Sequence, residues 1–100
     1  MEALPVLKAL ADPVRLQILH HMRDHGDHDH TICPLDLMTA HSLAQPTVSH
    51  HMKILVAAGL VTSFKRGTAV FYRLNPDTFD RLAVWLEAWR HSSDASVDQR

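Results

Sequence analysis

Histidine and aspartate crowd one stretch of this chain. Nine histidines occur in 100 residues, five of them between His20 and His30, and the run Asp24-His25-Gly26-Asp27-His28-Asp29-His30 leads to the lone cysteine, Cys33. Imidazole and thiolate are the ligands that Zn, Ni, Co and Cu ions prefer, and His28-x-His30-x-x-Cys33 spaces three of them closely enough for one transition metal ion. Asp27, His25 and His41 are supplementary ligands to that set. The same residues have a plainer reading, because alternating Asp and His make a soluble, flexible loop that need bind nothing. Cys33 has a third, as a thiol that pairs between subunits on oxidation. The sequence leaves the three open. An enzyme built on this cluster, by metal-assisted hydrolysis or a Cys–His nucleophile, is a different class of answer. Against it, so short a chain has little room for a substrate cleft, and no Gly-rich phosphate loop or nucleophile motif occurs. The expectation is therefore no catalytic residue and no enzyme.

Charge points elsewhere. Ten Lys and Arg face eleven acids, for a net −1, but the charges are unevenly placed. Residues 1–36 carry Lys8, Arg15 and Arg23 against six acids; residues 77–100 carry three bases against five acids. The 40 residues between, 37–76, hold Lys53, Lys65, Arg66 and Arg73 and no acid at all. An acid-free segment in an acidic protein is a local basic face of the kind that attracts polyanions.

The elements that must carry these residues follow from periodicity. Leu4, Leu7, Leu10 and Ala11 keep helical spacing, so a short first helix ends near Ala11. Asp12-Pro13 is N-cap and first-turn chemistry for a second helix, with Val14, Ile18, Leu19 and Met22 as its buried stripe, ending near Asp24 before Gly26. Pro34 opens a short third helix with Leu35, Leu37, Met38 and His41. Ser42-Leu43-Ala44 is a tight turn, and a fourth helix from Gln45 or Pro46 buries Val48, Met52 and Leu55 before stopping at Gly59. The period then changes to two. Residues 60–65 and 69–74 form a hairpin around Arg66-Gly67-Thr68. Asn75-Pro76-Asp77 turns the chain into a last helix with Phe79, Leu82, Ala83, Leu86 and Trp89 on one face. One domain over residues 1–92 is expected, with a disordered Ser/Asp-rich tail at 93–100.

Two short helices joined by a three-residue turn and followed by a hairpin predict a mainly α, α+β winged helix-turn-helix: four helices, a wing, and a C-terminal helix. In that architecture the second helix of the pair enters the major groove of DNA while the hairpin touches phosphate or the minor groove. Both parts fall inside the acid-free segment. The residues also carry a resemblance. Leu7-Lys8-Ala9-Leu10-Ala11-Asp12-Pro13-Val14-Arg15-Leu16-Gln17-Ile18-Leu19 resembles the opening of the ArsR/SmtB-type bacterial repressors. Gln45-Pro46-Thr47-Val48-Ser49-His50-His51-Met52-Lys53-Ile54-Leu55 resembles their recognition helix, and Ala58-Gly59-Leu60-Val61 with Lys65-Arg66-Gly67 the approach to their wing. The likeness runs from about Leu4 to Trp89. It implies a homodimeric repressor, paired through its first and last helices, that releases its operator when an effector, often a metal ion, binds. Cys33 stands where thiol sensors of the family begin a Cys-x-Cys pair, but the second position here is Leu35. The family's last-helix zinc site, Asp-x-His with a later His, is broken because Asp80 is followed two residues on by Leu82, leaving His91 alone.

The expected DNA contacts are Gln45, Thr47, Ser49, His50 and Lys53 on the fourth helix and Lys65, Arg66 and Thr68 on the wing. Gln pairs bidentately with adenine, Ser and Thr reach bases or phosphates, and Lys and Arg supply charge. His51 answers the family's Ser-x-His pattern or packs beside Met52. Ala44 stands where Ser or Thr usually caps the fourth helix. Leu4, Leu7, Leu82, Trp85, Leu86 and Trp89 are expected at the dimer interface, because Val84, Trp85 and Ala88 widen the last helix's apolar arc beyond what one small core needs. The partners expected are an operator duplex and a second copy. The lone cysteine and the lack of a membrane span or signal segment predict a cytoplasmic, nucleoid-associated protein. A winged helix turned to protein partners is the remaining alternative.

Overall fold

The computed structural model describes the backbone of residues 1–98 and the side chains of residues 1–90. The tail expected over 93–100 lies outside the residues whose side chains are described. Eight elements follow in order: α1 (Leu4–Leu10), α2 (Pro13–His25), β1 (Thr31–Ile32), α3 (Pro34–His41), α4 (Gln45–Ala57), β2 (Val61–Arg66), β3 (Ala69–Leu74) and α5 (Pro76–Asp98). The three strands pair antiparallel in the order β1-β3-β2. No described helix is long and apolar enough to cross a membrane.

The junctions carry the chemistry the sequence announced. The Asp12 carboxylate accepts the Arg15 backbone N–H at 3.0 Å, capping α2 one residue before Pro13. That bond holds the Asp12 carboxyl below its ordinary range. After α2 the chain folds back so tightly at Gly26 that a Cβ there would stand 2.6 Å from the Met22 carbonyl oxygen and 2.8 Å from the His30 backbone. Only a residue without a side chain fits. Ser42, which ends α3, sits in the left-handed region at φ 54°, and Gly59 after α4 at φ 79°. The helix-turn-helix corner is thus made by a serine, and glycine marks the start of the wing.

One cluster of buried side chains holds these elements together. Ile18 and Met22 of α2, Leu37 of α3, Val48, Met52 and Leu55 of α4, and Leu60 are essentially sealed from water. Fully burying a side chain of this size is worth about 1.5–3 kcal/mol, so α2 and α4 are the centre of the fold. The base of the wing is locked separately. Buried Thr78 donates to the Gly59 carbonyl at 2.6 Å, Asn75 Nδ2 donates to the same oxygen at 2.9 Å, and the Asn75 backbone N–H reaches the Leu60 carbonyl at 3.0 Å. These bonds fix the start of α5 to the end of α4.

Two expectations need correction, the bounds of the hairpin loop and the place of Leu82. The buried face of α1 is Ala3, Val6 and Ala9, while Leu4 and Leu7 face outward. Small residues let the short helix approach the core, and the leucines are left over. Leu35 is 65% exposed and Leu37 alone seals α3. The hairpin loop shortens to Gly67 and Thr68, because Arg66 pairs with Ala69 as the last rung of the ladder. Leu82, expected between subunits, belongs to the protomer's own core. Strand β1 was not foreseen: two residues carry no periodicity.

Candidate functional site

Helix α4 is about 20 Å long at 1.5 Å per residue, enough to occupy a major groove. Its inner face is Val48, Met52 and Leu55. At about 100° per residue the opposite ridge is Pro46, His50, Lys53 and Ala57, all exposed. Ser49 and Thr47 are half-buried and flank that ridge on opposite sides, and Gln45 is exposed at the helix start. The five side chains expected on α4 therefore do not form one row: His50 and Lys53 stand at the crest, and Thr47 and Ser49 at its shoulders. No side chain caps the helix at Ala44, so its first backbone N–H groups point forward with the positive end of the helix dipole.

His51 faces the other way. It is 12% exposed in its side chain, and its Nδ1 lies 3.2 Å from Arg15 Nη1. Arginine has only donors, so Nδ1 accepts and the His51 proton sits on Nε2. Asp12 Oδ2 is 3.9 Å from the same nitrogen, too far for a hydrogen bond. Burial, above the attraction of Asp12 and helped by Arg15 and His50, lowers the His51 pKa below 6.5. Arg15 also donates from Nε to the Ala9 carbonyl at 2.7 Å and from Nη2 to the Lys8 carbonyl at 3.3 Å. One guanidinium thus joins the end of α1, the start of α2 and the middle of α4. The sequence carried the signal in Asp12-Pro13-x-Arg15 and Ser49-x-His51.

The wing is ordered by stacking. Phe64 and Phe71 stand opposite each other in the ladder with ring centroids 6.0 Å apart. The Arg66 guanidinium lies 5.3 Å and 5.1 Å from these rings, and Arg73 lies 5.0 Å from Phe64. Strand alternation puts Thr62, Phe64 and Arg66 on one face and Lys65 on the other, with core-facing Val61. Lys65 and Arg66, expected together, therefore leave the ribbon in opposite directions. Thr68 is exposed at the tip. The two phenylalanines as supports for arginine were missed, although their alternation with Lys and Arg was visible.

The His/Asp loop is more structured than alternation suggests. Asp27 Oδ1 accepts from the backbone N–H groups of Asp29 at 2.9 Å and Thr31 at 3.0 Å, bonds that lower its pKa. The expected metal set does not assemble. Among the described residues the ligand atoms that gather are those of Asp27, His28 and Asp29, all exposed, without His30 or Cys33. His30 takes a left-handed backbone at φ 56°. Cys33 immediately precedes α3 and its Sγ donates to Asp36 Oδ2 at 3.3 Å. The loop's tight backbone turn separates residues that the spacing placed together.

Of the residues expected between subunits, Leu4 is 55% exposed, Leu86 50% and Trp89 63%, with Leu7 also exposed and Trp85 half-buried. Trp85 and Trp89 meet edge to face at 5.8 Å. Val84, 70% exposed, extends the same apolar surface.

Comparison with known proteins agrees with this geometry. Residues 12–63 match the family described as bacterial regulatory protein, arsR family. The chain is 44% identical over 92 residues to the HTH-type transcriptional repressor SmtB of Mycobacterium tuberculosis, covering 92% of this chain and 63% of that protein. It is 40% identical over 92 residues to an arsenical resistance operon repressor of Staphylococcus aureus, covering 92% and 84%. Among solved structures, an ArsR-like transcriptional regulator from Rhodococcus superposes with a TM-score of 0.79 at 26% identity, covering 93% of this chain and 83% of that one. The matched segment holds the Asp12 cap, both helices of the helix-turn-helix and the start of the first wing strand, and by that match and these identities the chain belongs to the arsR family of bacterial regulatory proteins.

Proposed function

We propose that this protein is a homodimeric transcriptional repressor that reads a near-palindromic operator through α4 and the wing and responds to a transition metal ion. Residues 1–92 act as one DNA-binding and dimerisation unit. The observation that carries the reading is where the acid-free segment falls: it forms the end of α3, α4 and the hairpin, with Lys53 and His50 on the crest of α4 and Arg66 and Arg73 stacked on the wing. No carboxylate lies in that segment to repel phosphate.

Gln45, Ser49 and Thr47 supply hydrogen bonds to bases or backbone, while Lys53, Lys65 and Arg66 supply charge, with Thr68 at the wing tip. Pairing uses the apolar side chains left outward on α1 and α5: Leu4, Leu7, Trp85, Leu86 and Trp89. Two copies offer eight cations from Lys53, Lys65, Arg66 and Arg73, so log K should fall with log salt at a slope of roughly −5 to −7. Half-sites lie about 34 Å apart, one helical turn. The relatives named as arsenical resistance and SmtB repressors support a metal-type effector. The protein works in the cytoplasm at the nucleoid.

Fluorescence anisotropy with duplexes from the DNA upstream of its own gene tests this reading. Sequence-selective, salt-sensitive binding of two chains per duplex is expected. Binding that survives joint replacement of Gln45, Ser49 and Lys53 by alanine would refute it and favour a surface for protein partners.

A further inference from the structure

Three histidines, His21 and His25 of α2 and His41 of α3, come together where the end of α3 lies beside α2. His21 and His25 are four residues apart, hence on one face of α2, with ring centroids 4.7 Å apart. His41, the last residue of α3, brings its ring to 5.1 Å from His21. The His41 Nε2 is buried and has no hydrogen-bond partner. The three rings line a cleft of about 230 Å³ with Gln17, His20 and Asp24. Asp24 is held by Arg23 at 2.8 Å and 3.2 Å. Buried polar groups are nearly always paired, so an orphaned ring nitrogen among other imidazoles asks for a missing partner.

We infer that His21, His25 and His41 form a site for one divalent transition metal ion, Zn²⁺ in the first instance, with water as the fourth ligand. The spacing fits. Three imidazoles bound at about 2.0–2.1 Å in a tetrahedron hold their ring centroids about 5 Å apart, close to the 4.7 Å and 5.1 Å at which His25 and His41 stand from His21. The nitrogens have not yet converged, since among the described residues the only set gathered to ligating distance is elsewhere. Capture of the ion therefore turns these rings inward and ties the end of α3 to α2. Ser42-Leu43-Ala44 links that end to α4, so the constraint reaches the DNA-reading helix. This regulatory consequence rests on the repressor reading above; the site itself does not.

The test titrates Co²⁺ and then Zn²⁺ into the reduced full chain without DNA. One equivalent per chain is expected, with visible d–d bands of a tetrahedral nitrogen-rich site and no thiolate charge-transfer band. His21→Ala and His25→Ala should each weaken binding about tenfold or more, while Cys33→Ser and His28→Ala/His30→Ala should change it less than about twofold. His25 is exposed, so its variant tests the site without disturbing the core. Unchanged affinity in both His21→Ala and His25→Ala, or a thiolate band abolished by Cys33→Ser, overturns the site. Operator binding by the metal-free protein is measured in parallel: its failure beside intact metal binding refutes the repressor reading and leaves the site standing.

Discussion

Replacing Arg15 with methionine tests whether a single side chain couples the amino-terminal helix to α4. The substitution keeps the apolar stem and removes the fork. Three contacts go: Nε to Ala9 O at 2.7 Å, Nη1 to His51 Nδ1 at 3.2 Å, and Nη2 to Lys8 O at 3.3 Å. The last is exposed and contributes little. The other two are partly buried bonds from a charged donor, each worth about 1–1.5 kcal/mol, so the loss should be about 2–3 kcal/mol. Against a total stability of about 5–15 kcal/mol that is easily read by urea unfolding at fixed protein concentration, which matters because pairing shifts apparent stability.

Two further readouts separate geometry from charge. Arg15 is one of the groups lowering the His51 pKa, after burial. In Arg15→Met the imidazole should titrate at higher pH by NMR, with the Asp12 attraction now unopposed by Arg15. In Arg15→Lys the positive charge stays but the planar fork is gone. Most of the stability loss should persist while the His51 pKa remains low. An Arg15→Met protein within about 0.5 kcal/mol of the parent, or full rescue by lysine, would show that the fork does not join these helices.

Stability should fall as pH drops below about 6.5. Burial lowers the pKa of His21, with His25 and His41 adding to it, and likewise that of His51. Their charged forms are disfavoured in the folded chain, so the unfolded chain binds more protons between the depressed value and 6.5, and stability is lost on acidification through that window. Denaturation midpoints at pH 7.5 and 5 check it, and replacing both residues by Gln should flatten the profile; a midpoint that rises at pH 5 contradicts the sign. Gly26→Ala should destabilise by about 1–3 kcal/mol, because the new Cβ meets backbone on two sides; thermal unfolding at parental values would mean the loop moves freely away from α2. On the wing, Phe71→Ala should cost about 0.5–1.5 kcal/mol of stability and release Arg66. Arg66→Ala should reduce the salt slope of DNA binding by about one per subunit, and an unchanged slope in anisotropy titrations would remove Arg66 from the contact set.

Most of the architecture was legible because local chemistry and global packing agree. Asp12-Pro13 caps α2, Val48, Met52 and Leu55 repeat at helical spacing, and Gly59 lies where a left-handed residue must end α4. The errors came where a side chain's role depends on distant segments. Leu82 reads like Leu86 in sequence, but one turn of α5 separates core from surface. In the candidate site, Lys53 and Arg66 could be read directly from charge. His28, His30 and Cys33 could not be judged by spacing, since the left-handed turn at His30 and the Cys33–Asp36 contact set their directions. Of the His21–His25–His41 cluster, His25 and His41 were named only as additions to the loop set, because residues 21 and 41 meet only where the end of α3 comes beside α2.

The same arrangement would let so small a protein couple the proposed metal site to α4. Helix α2 gives Ile18 and Met22 to the same buried cluster that receives Val48, Met52 and Leu55 from α4, and Arg15 near its start reaches His51. Its other end carries His21 and His25 beside His41. A close-packed interior does not deform continuously, so a shift of α3 against α2 must be taken up at the helix-turn-helix corner or in the core contacts of α4. Ser42, held in the left-handed region without being glycine, is the stiff point of that corner. A coupling of about 1–3 kcal/mol is enough to change operator affinity about 5- to 150-fold, comparable to the two partly buried hydrogen bonds that Arg15 makes. Control through the proposed site would therefore require no large motion, only that the α2–α3 and α2–α4 contacts cannot both be optimal in the metal-bound and DNA-bound states.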